Sequence, residues 1–208
     1  MNFKPTITKE EINELPVASF DGKIVVVNNE NSFKKAISDL KKQKIVGFDT
    51  ETKPSFVKGV SHKVALIQIA TEKVCYLFRL NLIGIPLELE KFFGNKSIKK
   101  IGLSLHDDML ALNRRTHIHP ENFIDLQKII ADYGIEEMSL QKMYALIFKK
   151  KISKTQRLSN WEATELSEAQ MHYAAMDAWA CRKIYLHLLP LKKIKKQPSL
   201  PNNIPVFN

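Results

Sequence analysis

Asp49 and Glu51 stand two residues apart at the end of the segment IVGFDTE, residues 45–51, whose apolar and β-branched lead-in predicts a strand. Side chains alternate faces along a strand, so the two carboxylates share one face while Val46, Phe48 and Thr50 take the other. Like charges this close repel unless a cation lies between them, which suggests a hard divalent metal such as Mg²⁺ or Mn²⁺. Taken alone, the pair is equally well read as an exposed strand end.

Two further carboxylates stand out. In LHDDMLAL, residues 105–112, a helical wheel sets Asp108 between Leu105 and Leu112 on the inward stripe and leaves Asp107 on a more exposed arc beside Ala111 and Arg114. Either aspartate can also cap the helix start, where free N–H groups favour a carboxylate. Asp177 lies within YAAMDAWAC, residues 173–181, an almost uniformly apolar helical stretch. A charge desolvated there without a partner costs several kcal/mol or more, so Asp177 needs a metal, a cation such as Arg182, or strong hydrogen bonds. Tyr173, four residues earlier, falls on the same helix face; a core aromatic is the plain alternative for it.

The elements that must hold these groups alternate between strand and helix. Segment 23–28 (KIVVVN) predicts a strand, and 31–43 an amphipathic helix carrying Phe33, Ala36, Ile37 and Leu40 behind an Asn/Ser cap. Strands follow at 45–51, 63–70 and 73–78, the last two joined by a Thr71-Glu72 turn that predicts a hairpin or meander. Segment 98–103 predicts a strand entering a helix near Leu105, 123–126 a short last strand, and from Ser139 onward mostly helix. Strands first and helices later, with βα units between, imply an α/β fold in which a mixed sheet is flanked by helices.

Length and composition bound the possibilities. The 208 residues, 44% hydrophobic, suffice for one large domain, expected over 1–190 with its core from about 23. The tail, 191–208, combines Lys192, Lys193, Lys195 and Lys196 with Pro198, Pro201 and Pro205 and suits an extended or disordered end. The formal charge of +10 is spread along the chain and favours a polyanionic partner such as a nucleic acid, with solubility as the plain alternative. Apolar runs are of strand length and the first fourteen residues alternate charges, so neither a membrane span nor a secretory signal is indicated and a soluble, cytoplasmic protein is expected. Cys75 and Cys181 form no CxxC pair and have no His cluster nearby, so neither a disulfide framework nor a zinc site is indicated and buried thiols are expected. No repeat of 20 to 50 residues is visible.

Asp49-Thr50-Glu51, then Asp108, then Tyr173 with Asp177 resemble, in order and spacing, the three motifs of DEDD-type 3′-5′ exonucleases, in the branch with a tyrosine in the third motif. The likeness is to the exonuclease domains of RNase D and of the Werner syndrome helicase. It runs through VGFDTE, KVALIQIAT, IGLSLHDDMLAL and LSNWEATELSEAQMHYAAMDAWA, and covers 31–189. One departure is Glu162-Ala163-Thr164-Glu165-Leu166, where the family often has basic residues and a proline before the leucine; it bears on strand contacts, not on the acids.

The resemblance implies a ribonuclease H-like single exonuclease domain that hydrolyses terminal phosphodiester bonds of DNA or RNA and releases nucleoside 5′-monophosphates. It implies that Asp49, Glu51, Asp108 and Asp177 hold two ions, and oxygen-only ligands select Mg²⁺ or Mn²⁺ over zinc. Tyr173, protonated at its ordinary pKa near 10, suits orienting a water better than acting as a strong base. Lys53, Lys63, Lys154 and Arg157 are the candidates for phosphate contacts. Phe56 and Trp161 could stack on bases, at about 1–3 kcal/mol each, with core packing the expected role of Trp161. The alternatives from other classes are a catalytically silent nucleic-acid-binding module of the same fold, and a phosphatase acting on small nucleotides.

Overall fold

In the computed structural model, residues 3–194 are described. In chain order the elements are α1 (Lys9–Asn13), β1 (Lys23–Val27), α2 (Glu30–Leu40), β2 (Ile45–Thr52), β3 (Val64–Ala70), β4 (Val74–Arg79), α3 (Leu80–Ile83), α4 (Leu87–Phe93), β5 (Lys99–Gly102), α5 (Leu105–Asn113), β6 (Phe123–Asp125) and α6 (Leu126–Ile129). A 3₁₀ turn (Ile130–Tyr133), α7 (Leu140–Phe148) and α8 (Glu168–Leu188) follow.

The six strands form one sheet in the order β1-β4-β3-β2-β5-β6. β2, β3 and β4 run antiparallel as a meander, while β1 joins β4, β5 joins β2 and β6 joins β5 in parallel. The sheet is thus mixed, as the sequence predicts. The Thr71 hydroxyl accepts from the Val74 backbone N–H and donates to the Val74 carbonyl, closing the β3–β4 hairpin. β3 is buried along its whole length, which fits its continuous apolar run and its central place.

One face of the sheet packs against α8 and α7 through Leu66, Ala70, Leu77, Ala174, Ala178 and Cys181. The other packs against α2, α4 and α5 through Phe33, Ile37, Phe48, Phe78, Phe93 and Leu112. α8 starts at a capping box in which Ser167 and Gln170 satisfy each other's backbone N–H groups. Its inward alanines let the helix lie close to β2. Gly47 takes this furthest, since a Cβ there would sit 1.8 Å from the Ala178 carbonyl oxygen. Both cysteines are buried free thiols.

Two regions differ from the sequence expectation. The stretch after Ser139 is two helices separated by an irregular segment, because 149–167 is rich in Lys, Ser, Thr and Asn and has no apolar period, and Lys149 ends α7 in the left-handed region at φ 54°. Short helices occupy 80–93, started by Pro86 and stopped by Gly84 and Gly94, and are too brief for periodicity to reveal. The tail expected as an extended end falls outside the described residues beyond Ile194. Among the described residues, no helix is long and apolar enough to cross a membrane.

Candidate active site

Gly47, Asp49 and Glu51 alternate along β2 on the face that meets α8, and the close approach permitted by Gly47 brings Asp177 of α8 over the strand end. One carboxylate oxygen each from Asp49, Glu51 and Asp177 lie within 4.8 Å of one another. Asp177 is only 8% exposed. Arg182, the cation nearest it in sequence, is not its partner: its Nε donates to the Ile45 carbonyl at 3.1 Å. An ion pair of Asp177 with Arg182 is therefore absent, and the carboxylate faces its fellow acids.

Asp108 enters from the other side of the sheet end. Its Oδ1 accepts a 2.5 Å hydrogen bond from Thr50 Oγ1, so it is tied to the residue between the two β2 acids rather than to the three-acid cluster. The α5 turn that carries it is held by Asp125, whose carboxylate accepts from the Ser104, Leu105 and Gln127 backbone N–H groups. Ser104 sits in the left-handed region at φ 56°, a conformation those bonds help maintain. Asp125 and Thr50 went unmarked in the sequence, where nothing distinguishes them from ordinary strand-end polar residues.

Burial raises all four carboxyls, and repulsion from the neighbouring acids adds to it for Asp49 and Glu51. Burial, then the charges of Asp177, Asp108 and Glu51, holds Asp49 well above the usual carboxylate range. Glu51 is pushed up to about 9 by burial, then by Asp177 and Asp108, with Arg157 opposing. Asp177 reaches about 7 through burial, opposed by hydrogen bonding from Tyr173 and by the Lys154 charge. Asp108 reaches about 6 through burial, opposed by the Thr50 hydroxyl. Burial and then the Asp177 and Glu51 charges raise the Tyr173 phenol, which stays protonated.

The donor set fits a hard divalent cation. Oxygen-only, anionic and crowded ligands are what Mg²⁺ or Mn²⁺ takes, and a cation between them offsets the repulsion that helps raise Asp49 and Glu51.

Of the four cations singled out in the sequence, the structure brings Lys154 and Arg157 to the acids, where their charges are felt by Asp177 and Glu51 respectively. Lys53 faces Glu162 at 3.8 Å, which also pairs with His62 Nδ1 at 3.6 Å, and Lys63 is exposed without a contact to the cluster. Glu162 thus links the β2–β3 loop to the segment before α8. Trp161 is fully buried, with its ring 6.0 Å from that of Tyr173, and packs rather than presents a face to a base. Phe56 is 84% exposed at the tip of the β2–β3 loop.

Comparison with known proteins follows the same lines. A family model described as 3′-5′ exonuclease matches residues 24–192. The mouse bifunctional 3′-5′ exonuclease/ATP-dependent helicase WRN is 32% identical over 186 residues, taking in 85% of this chain and 13% of that protein. The solved EXO domain of Aedes aegypti Nibbler superposes with a TM-score of 0.75 at 23% identity, covering 84% of this chain and 92% of that one. Escherichia coli RNase D, an exoribonuclease involved in structured RNA processing, gives 0.70 at 20% identity over 82% of this chain and 44% of that one. At those identities the two structures speak to fold alone, and the fold they share is the ribonuclease H-like exonuclease domain. The chain spans between 13% and 59% of the length of the first curated relatives it matches.

Proposed function

The chain belongs to the 3′-5′ exonuclease family, and on that premise we propose that it is itself a metal-dependent 3′-5′ exonuclease, hydrolysing terminal phosphodiester bonds of DNA or RNA to nucleoside 5′-monophosphates. The observation that carries the reading is the cluster of Asp49, Glu51 and Asp177 oxygens within 4.8 Å of one another, with no side-chain cation paired to it by a salt bridge among the described residues. The catalytic domain in this reading is 1–190, with 191–208 as an appended tail.

Asp49, Glu51 and Asp177, with Asp108 beside them, would hold two Mg²⁺ or Mn²⁺ ions. Bound there, the ions supply an activated water and stabilise the departing 3′ oxygen. The protein's own residues do the rest. Tyr173, kept protonated by burial and by the neighbouring anions, would orient the attacking water through its hydroxyl oxygen rather than abstract its proton. Thr50 fixes the Asp108 carboxylate, and Lys154 and Arg157 offset the excess negative charge that would otherwise repel a phosphate. Phosphate contacts from such residues carry no sequence information, so the enzyme is expected to degrade strands of any sequence.

Incubation of 3′- and 5′-labelled DNA and RNA oligonucleotides with Mg²⁺, Mn²⁺ or EDTA tests this, beside the Asp49→Ala, Glu51→Ala double variant. Mononucleotides released from the 3′ end in metal, and not by the variant, are the expected result. Strand binding without cleavage in either metal would leave a silent binding module of this fold.

A further inference from the structure

Gln68 lies at the centre of β3 on the face that meets α8. It is fully buried, and neither its Nε2 nor its Oε1 has a hydrogen-bond partner among the described residues. An amide left so costs about 1–3 kcal/mol per unpaired group, far more than a leucine or methionine in the same apolar strand.

Strand register shows what surrounds it. Gln68 is directly opposite Asp49 on β2 and directly opposite Leu77 on β4. Its diagonal neighbours include Glu51, the residue across from Leu66 on β2, and Arg79, the residue across from Leu66 on β4. Cross-strand partners share a face, with Cβ atoms about 4.5–5.5 Å apart when directly opposite, and long side chains reach the diagonals. The charged groups in register around the amide are therefore the acids on one side and Arg79 on the other.

Arg79 is 2% exposed. Its terminal nitrogens donate to the carbonyls of Ala163 and Thr164, in the segment before α8, while its Nε is buried and has no partner among the described residues. Three unmatched atoms thus belong to side chains that neighbour one another in register, and their chemistry is complementary. Arg79 Nε and Gln68 Nε2 are donors; Gln68 Oε1 and the Asp49 carboxylate are acceptors.

We infer that Gln68 is a positioning residue for Asp49: a rotation of its amide from the unpaired orientation in the structure would let its Oε1 accept from Arg79 Nε and its Nε2 donate to the Asp49 carboxylate. The neutral amide would fix the orientation of a buried metal-ligating carboxylate and pass to it the polarisation of a guanidinium one strand further away. Because Arg79 also holds Ala163 and Thr164, the same chain of contacts ties Asp49 to the segment that carries Lys154 and Arg157. The inference rests on the exonuclease reading, in which Asp49 is a metal ligand.

Gln68→Met removes the amide and keeps the length of the side chain. Three measurements on the full chain test it: melting in EDTA, Mn²⁺ titration by calorimetry, and steady-state cleavage of a 3′-labelled oligonucleotide. Melting temperature should fall, since the buried Arg79 Nε and the Asp49 carboxylate lose the amide between them. Mn²⁺ affinity should fall by about 10–100-fold, the usual effect of losing a hydrogen bond to a metal ligand, and kcat should fall with KM for the oligonucleotide unchanged. A variant whose Mn²⁺ affinity and kcat match wild type overturns the inference while leaving the exonuclease reading intact; a wild-type chain that takes up no Mn²⁺ overturns both. A measurement on wild type alone removes any dependence on how the variant folds. The side-chain ¹⁵N–¹H₂ signals of Gln68 should shift on adding Mg²⁺ and exchange slowly with solvent, and signals indifferent to Mg²⁺ with rapid exchange would overturn the inference.

Discussion

Thr50 Oγ1 donates to Asp108 Oδ1 across the end of the sheet, so the residue between the two acids of β2 anchors the acid of α5. The two side chains meet on one flank of the sheet, the one opposite α8. Thr50 points away from Asp49 and Glu51 by strand alternation, and that is why it can meet a helix on the other face.

Thr50→Val keeps the shape of the side chain and removes the donor. Asp108 loses the one hydrogen bond that lowers its carboxyl, so its pKa rises above about 6 and its orientation is no longer fixed. Cleavage at pH 7 should fall by about 10–100-fold, and the acidic limb of the pH–rate profile should move to higher pH. A profile superimposable on wild type would show that the bond contributes nothing to the reaction.

Without metal, the acid cluster makes stability depend on pH with an unusual sign. Glu51, Asp177 and Asp108 have folded-state values of about 9, 7 and 6, against about 4 in an unfolded chain. Between pH 4 and these values the folded state keeps protons that the unfolded chain has released, so stability falls as pH rises through the window. In EDTA the protein should melt at a higher temperature at pH 5.5 than at pH 8. Saturating Mg²⁺ should raise the melting temperature more at pH 8, where fewer protons compete for the ligands; an excess of 100 Kd is worth about 2.7 kcal/mol. Equal stabilisation at both pH values would contradict the raised pKa values.

The fold and the acids were legible because each left a local anomaly. Asp177 interrupts an apolar helix, and Asp49 and Glu51 close an apolar strand on one face, patterns that burial without a counter-charge makes costly. The sheet followed from runs of β-branched residues, and the β3–β4 hairpin from a two-residue gap. The supporting groups were not legible for the opposite reason. Thr50, Asp125 and Arg79 look like ordinary polar residues at strand ends, and their partners are 58, 20 and 84 residues away in the chain. Gln68 did interrupt an apolar strand, but only register shows that Asp49 lies across from it. Lys53 and Lys154 could not be told apart in sequence, since what separates them is that Glu162 stands beside Lys53.

Tyr173 offers a test of orientation against proton abstraction. Its phenol is raised above its ordinary value by burial and by the Asp177 and Glu51 charges, so it carries its proton throughout the working range. Tyr173→Phe should lower kcat by about 10–100-fold and leave Mn²⁺ affinity unchanged, because the phenol lies beside the ligands without being one. The wild-type rate should show no rise between pH 8 and 10 that the variant lacks. Such a rise would mean that the phenolate acts as the base.

Lys154 and Arg157 should differ from Lys53 in how they hold a strand. The first two are exposed and their charges are felt by the acids, where the exonuclease reading puts the terminal phosphate, whereas Lys53 is engaged by Glu162 at 3.8 Å. Each cation that neutralises a phosphate on a single strand releases counterions and contributes about 0.7 to the slope of log affinity against log salt. Binding of a single-stranded oligonucleotide in Ca²⁺ or EDTA, measured by fluorescence anisotropy from low to moderate salt, should lose about 1.4 from that slope in the Lys154→Gln, Arg157→Gln double variant. Lys53→Gln should change it less, because the lysine must first part from Glu162, and Glu162→Gln should recover its contribution. If Lys53→Gln flattened the slope as much as the double variant, the strand would run over the β2–β3 loop rather than past the segment before α8.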